Sequence, residues 1–175
     1  MRSMGITLVR HGRVEISDGR RFKGHGVDLT PLSPEGLIEA ERIGRSLVSS
    51  PPDLILSSPM TRALQTAMII SWHVDRRVVV ELDLHEWMPD DRQDWQDGTI
   101  PQAAASEMNA LGGEWPLGET RHWEPLSVVR ARVEAVFDRY VEVDDLLVVC
   151  HSVVIQAVAG VAGCGHCERV PFVRA

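Results

Sequence analysis

Cysteine is scarce in this chain. Among 175 residues there are three, Cys150, Cys164 and Cys167, too few and too odd a number for a small secreted scaffold stapled by disulfides. No apolar run approaches the roughly 20 residues needed to cross a bilayer. The N-terminus lacks the basic segment, apolar stretch and cleavage site of a secretory leader, so a cytoplasmic location is expected. Positive charge is not in surplus either. The formal net charge is −7, and such a chain lacks the basic face that nucleic acid demands. There is no internal repeat and no low-complexity segment. What is present, 44% hydrophobic and 25% charged residues, suits a single globular domain over residues 1–175 with a sizeable core.

The negative charge is concentrated. Between His85 and Glu124 stand nine acidic residues (Glu86, Asp90, Asp91, Asp94, Asp97, Glu107, Glu114, Glu119, Glu124) against two basic ones, Arg92 and Arg121. That excess equals the charge of the whole chain. Four of the five tryptophans, Trp87, Trp95, Trp115 and Trp123, lie in the same segment.

Short apolar, β-branched runs predict strands at Gly5–Val9, Asp53–Leu56, Val78–Leu82 and Leu146–Val149. Between them lie helical patterns. Ser33 can cap a helix that Pro34 begins, with Leu37, Ile38, Ile43 and Leu47 on its apolar side and Pro51-Pro52 ending it. Further helices are predicted from Met60 to His73, from Pro125 to Tyr140 and from Ser152 through Val161, with a helical interior near Pro101–Leu111. Val14–Leu32, polar and glycine-rich, reads as a loop. Alternating strands and helices imply an α/β three-layer sandwich, a mostly parallel sheet flanked by helices. Ligands of such sheets bind beyond the carboxyl ends of the strands. Arg10-His11, Ser57-Ser58 with Arg62, Glu86 and His151 all follow predicted strands.

Each of these residues alone has an ordinary reading, as a surface arginine, a solvated carboxylate or a core histidine. Jointly they suit phosphoryl transfer. A phosphate dianion needs fixed positive charge, which the planar forks of Arg10 and Arg62 supply. The neutral imidazole of His11 can attack phosphorus and hold the phosphoryl group covalently. His151 can donate to the phosphoryl oxygens, helped by backbone N–H groups where the helix starts at Ser152. Glu86 can protonate the leaving alkoxide if burial raises its pKa.

Leu8-Val9-Arg10-His11-Gly12 resembles the signature of the histidine phosphatase superfamily, also called phosphoglycerate mutase-like. Asp28-Leu29-Thr30-Pro31-Leu32-Ser33-Pro34-Glu35-Gly36, Ser57-Ser58-Pro59-Met60-Thr61-Arg62-Ala63-Leu64-Gln65-Thr66-Ala67, Leu84-His85-Glu86 and Val148-Val149-Cys150-His151-Ser152 follow in that family's order, and the resemblance covers nearly the whole chain. It implies that His11 is the phosphorylated nucleophile, that Arg10, Arg62 and His151 bind phosphate, and that Glu86 is the proton donor. It implies no metal and no organic cofactor. Three positions depart from the pattern. Arg13 stands where an acidic or amide residue is frequent. Ser17 occupies the place of a phosphate-contacting asparagine, and its hydroxyl can still donate one hydrogen bond. Ser152 replaces a common glycine.

The function expected is hydrolysis of a small phosphorylated metabolite, with no nucleic-acid or membrane partner. A phosphoglycerate mutase-type phosphotransferase and a catalytically weakened binding or scaffold module are the alternatives. A homodimer is compatible with the reading, though no residue pattern marks the oligomeric state. Cys164-Gly165-His166-Cys167 lacks the second ligand pair of a structural zinc site. The segment 85–124 is expected to form a lid whose tryptophan faces favour flat, apolar or cationic groups and whose carboxylates repel a second phosphate.

Overall fold

The computed structural model describes residues 5–15, 24–93 and 99–173. Five strands form one mixed sheet: β1 (Gly5–Arg10), β2 (Leu54–Ser57), β3 (Val78–Val80), β4 (Asp145–Cys150) and β5 (Arg169–Phe172), in the order β3-β2-β4-β1-β5. The first four are mutually parallel where they pair, and β5 runs antiparallel to β1. Among the described residues the α-helices are α1 (Pro34–Ser46), α2 (Thr61–Val74), α3 (Thr99–Ala110), α4 (Leu126–Asp138) and α5 (Ser152–Ala159).

Period-two alternation sends successive side chains to opposite faces, which is why the strands are apolar throughout. Ile6, Leu8, Leu54, Leu56, Leu146 and Val148 pack with Val129, Val133 and Phe137 of α4 and with Val154 and Ile155 of α5. Val9, Ile55, Leu147 and Val149 pack instead with Ala63, Ala67 and Ile70 of α2. The result is the expected sandwich, with α1 and α2 on one face and α4 and α5 on the other. No helix among the described residues is long and apolar enough to cross a membrane.

The structure departs from the sequence expectations in several places, and Leu37 and Ile38, expected on the apolar side of α1, are exposed, its buried residues being Gly36, Ala40 and Gly44. β5 falls where no strand is expected: it is only four residues long, and Pro171 lacks a donor, which an edge strand tolerates. β3 stops at Val80 because Leu82–Leu84 wind into a 3₁₀ turn. Within the loop expected at 14–32, Gly24–Leu29 form a 3₁₀ helix, and Val14 and Leu32 make an isolated antiparallel bridge.

The start of α1 sits directly on the segment after β1. Ser33 Oγ accepts from the Gly36 N–H at 3.1 Å, capping the helix as expected. Gly36 has no room for a side chain: a Cβ there would lie 2.0 Å from the Arg13 carbonyl oxygen, and one on Gly12 would lie 2.6 Å from the Gly36 carbonyl oxygen. Gly36→Ala must therefore push α1 off the Gly12-Arg13 backbone. A stability loss of about 3 kcal/mol is expected in denaturant titration. A loss below about 0.5 kcal/mol would mean this close approach is not needed.

Candidate active site

Sheet order brings the site residues together. β1 and β4 are neighbours with Arg10 opposite Cys150, and the His11 N–H bonds to the Cys150 carbonyl at 3.0 Å. The next residues of each strand, His11 and His151, therefore emerge side by side, their rings 5.2 Å apart in an edge-on arrangement. β2 lies on the other side of β4, so Ser58, whose N–H bonds to the Val149 carbonyl at 3.0 Å, follows beside His151. α2 then carries Arg62 back over the sheet edge.

His11 is buried and its tautomer is set by its surroundings. Nδ1 lies 2.7 Å from the Gly12 carbonyl oxygen. A carbonyl only accepts, so Nδ1 carries the proton and Nε2 keeps its lone pair. Arg62 Nε donates to that Nε2 at 3.2 Å. Thr66 locks the arrangement: its Oγ1 accepts from the Gly12 N–H at 3.1 Å and donates to the Arg62 carbonyl at 2.8 Å. Burial, then the Arg62 guanidinium, hold the His11 pKa down to about 3, against the Gly12 hydrogen bond that raises it.

His151 is fully buried, and burial and then Arg62 hold its pKa well below the ordinary value. Its Nε2 lies 2.7 Å from Ser58 Oγ, which also accepts from the Met60 N–H at 3.3 Å. The serine proton is then free to go to Nε2, leaving the imidazole proton on Nδ1, which has no partner among the described residues. Arg10 spends Nη1 on the Cys164 carbonyl at 2.6 Å and, likewise, has no described partner for Nε.

Arg62 and Glu86 line one cavity of about 460 Å³, with Val27, Asp28, Met60, His85, Trp87 and Met88 among its walls. Burial raises the Glu86 pKa, opposed by backbone N–H groups of Trp87 and Val153 and by the charge of Arg62. Glu86 Oε1 accepts from the Trp87 N–H at 2.8 Å. The segment carrying Glu86 is pinned to α4. Arg132 donates to the Asp83 carbonyl and pairs with both oxygens of Glu124 at 2.7 and 3.1 Å, while Trp87 Nε1 donates to the Glu124 carbonyl at 2.6 Å. A second cavity, of about 720 Å³, lies on the Arg10 side and is lined by Arg10, Arg13, Ser33 and His166, among others.

Two buried histidines, one with an unprotonated Nε2 held by Arg62, gathered with two arginines and a carboxyl of raised pKa, form a constellation suited to moving a phosphoryl group. A sequence model of the histidine phosphatase superfamily (branch 1) matches residues 6–168. The chain belongs to that superfamily. Among curated members it is similar to the adenosylcobalamin/alpha-ribazole phosphatase of Escherichia coli (strain K12), 27% identical over 87% of this chain and 76% of that protein. It is also similar to a 2,3-bisphosphoglycerate-dependent phosphoglycerate mutase of Protochlamydia amoebophila, 36% identical over 59% of this chain. That match spans 48% of the mutase, so the chain aligns with about half of this relative. In fold it resembles the native structure of a mycobacterial glucosyl-3-phosphoglycerate phosphatase, with a TM-score of 0.77 at 24% identity over 97% of this chain and 90% of that one.

In this superfamily member, Arg10, His11, Arg62, Glu86 and His151 gather at one end of the sheet. Ser152 is the first residue of α5, half-buried beside His151. Ser17 lies outside the described residues, as does Trp95. The other tryptophans of the acidic segment divide. Trp87 walls the Glu86 cavity. Trp123 is buried, donates to Glu107 at 2.8 Å and packs edge-on against Trp115 at 6.3 Å, within the core on the α4 face. Several carboxylates of the segment are spent on cations: Asp90 on Arg92, Glu107 and Glu119 on Arg121, Glu124 on Arg132.

Four residues shape the site beyond those the motifs mark. Thr66 had a signal, one helical turn after Arg62 and on the same face. Glu124 and Arg132 had none, because their role exists only once α4 packs against the Glu86 segment. His166 has a sequence signal only as a metal ligand, within Cys164-Gly165-His166-Cys167.

Proposed function

We propose that the chain is a phosphomonoesterase working through a phosphohistidine on His11. The observation that carries this is the tautomer of His11, with the proton on Nδ1 and a lone pair on the Nε2 that faces Arg62. Nε2 attacks phosphorus, forming the P–N bond as the ester P–O bond breaks. Arg10 and Arg62 balance the phosphoryl charge, and Nδ1–H of His151 gains in a phosphoryl oxygen the acceptor it lacks among the described residues. The Glu86 proton passes to the leaving oxygen. Water then gives its proton to the Glu86 carboxylate and attacks phosphorus, and the P–N electrons return to Nε2. No step calls on a metal.

The leaving group would occupy the cavity beside Glu86. Met60, Trp87, Met88, Pro59 and Pro89 give it apolar walls, Asp28 adds a carboxylate, and among its described lining residues Arg62 is the one arginine, with no lysine. Such walls favour a flat, apolar or cationic remainder and disfavour a second phosphate. In a phosphate-release panel containing excess chelator, kcat/KM for aryl and other apolar monoesters is expected to exceed that for sugar bisphosphates by at least about tenfold. Preference for the bisphosphates, or loss of activity with the chelator, would refute this reading. Phosphoryl transfer between positions of phosphoglycerate would point to the mutase alternative.

A further inference from the structure

His166 is placed beside the nucleophile by a loop that is anchored around it. The loop joins α5 to β5. Arg10 Nη1 donates to the Cys164 carbonyl at 2.6 Å, the Cys167 N–H donates to the Arg10 carbonyl at 3.0 Å, and the Arg10 N–H donates to the Glu168 carbonyl at 3.3 Å. Glu168 turns back to accept from the Gly165 N–H at 2.6 Å. Cys167 is held at φ +53, in the left-handed region that L residues with a Cβ avoid. Its buried side chain packs with Leu32 and Ala40, which sustains that conformation. Local strain of this kind persists where the surroundings over-determine it, and it collects at functional positions.

The residue framed by these contacts is His166. Its ring lies 5.8 Å from the His11 ring, tilted by 57°. It borders the cavity on the Arg10 side and makes no hydrogen bond to a described residue. The charged groups around it come from several elements: Arg10 at the end of β1, Arg13 beyond it, Glu39 of α1, and Glu15 and Glu35 on the wall of the same cavity. Burial and the arginines lower its pKa, so the free ring is a neutral imidazole with one N–H to donate.

We infer that His166 is a third imidazole of the phosphate site, donating a hydrogen bond to the phosphoryl group at His11 from the Arg10 side. The inference rests on the proposed phosphohistidine reading and adds to it a ligand contributed by the β5 loop. A dianion between Arg10 and Arg62 has more oxygen lone pairs than those two guanidiniums and His151 satisfy, and His166 supplies a donor on the side that His151 does not cover. The donation strengthens as charge spreads over the transferring oxygens, so it supports turnover as well as affinity.

Two variants separate donation from packing. His166→Phe keeps a ring against His11 but has no N–H, and His166→Asn loses the ring but keeps a donor. The affinity of each for inorganic phosphate is measured by calorimetry, and the inhibition constant of phosphate against aryl phosphate hydrolysis is measured beside it. His166→Phe is expected to bind phosphate about tenfold more weakly, with His166→Asn recovering at least half of that loss on a logarithmic scale. Unfolding midpoints report whether either variant disturbs the fold. Wild-type phosphate affinity in His166→Phe, or equal losses in both variants, would overturn the inference. Wild-type turnover in a His11→Ala variant would instead overturn the phosphohistidine reading, so the two failures are distinguishable.

Discussion

Replacing His11 by alanine is expected to lower kcat by at least about 10,000-fold with little change in KM. At 1.36 kcal/mol per tenfold, that is a barrier increase of at least about 5 kcal/mol. The split follows from the geometry. Arg10, Arg62 and His151 are carried by β1, α2 and the junction of β4 with α5, so the anion still finds its donors, while the atom that forms the P–N bond is gone. A wild-type sample quenched during turnover of a ³²P-labelled ester should carry label that is labile to acid and stable to alkali, and His11→Ala should carry none. The pH profile adds a second signature. Because burial and Arg62 hold the His11 pKa down to about 3, the ring is in its nucleophilic, neutral form at all higher pH. Activity lost to protonation of His11 should therefore be confined to the region near and below pH about 3. Label retained in the alanine variant would refute His11 as the carrier.

Glu86→Gln is expected to discriminate between leaving groups. A carboxyl that protonates the departing oxygen matters when that oxygen leaves as a basic alkoxide and hardly at all when it leaves as a stabilised nitrophenolate. An alkyl phosphate should lose about 100- to 10,000-fold in kcat, and a nitrophenyl phosphate less than about tenfold in its first step. The pH dependence has a definite sign. Burial raises the pKa of Glu86, so the proton-bearing form persists above the ordinary carboxylate range. Alkyl ester hydrolysis should decline as pH rises through that pKa, and the glutamine variant should lack this basic limb. Equal losses for both substrates in the phosphorylation step would mean that Glu86 acts there by position or charge rather than by proton transfer. Arg132 and Glu124, which pin the segment carrying Glu86, are positioning residues for the same step.

Much of the architecture was legible because it is written locally. β-branched apolar runs, a Ser33-Pro34 helix start and the polar residues just beyond each strand depend on neighbours a few residues away. β5 was not legible, because an edge strand of four residues containing Pro171 has almost no local signal. It forms because β1 offers an unpaired edge. The tryptophans show the same division. Their clustering in an acidic segment fits either a lid or packing on the core, and only the folded chain shows that Trp87 and Trp123 are both buried, Trp87 also walling the cavity.

Local sequence carries the layering of the sandwich, the family, and the motifs that hold Arg10, His11, Arg62, Glu86 and His151, because each motif is contiguous and its chemistry can be read residue by residue. Folding alone sets which nitrogen of His11 carries the proton, which donors lack a partner among the described residues, and that the His166 ring lies 5.8 Å from that of His11. Those properties arise between atoms distant along the chain, as when the Arg62 guanidinium meets His11 or the β5 loop closes over Arg10. A hydrogen bond exists only at a distance and an angle, and no local pattern of residues fixes either.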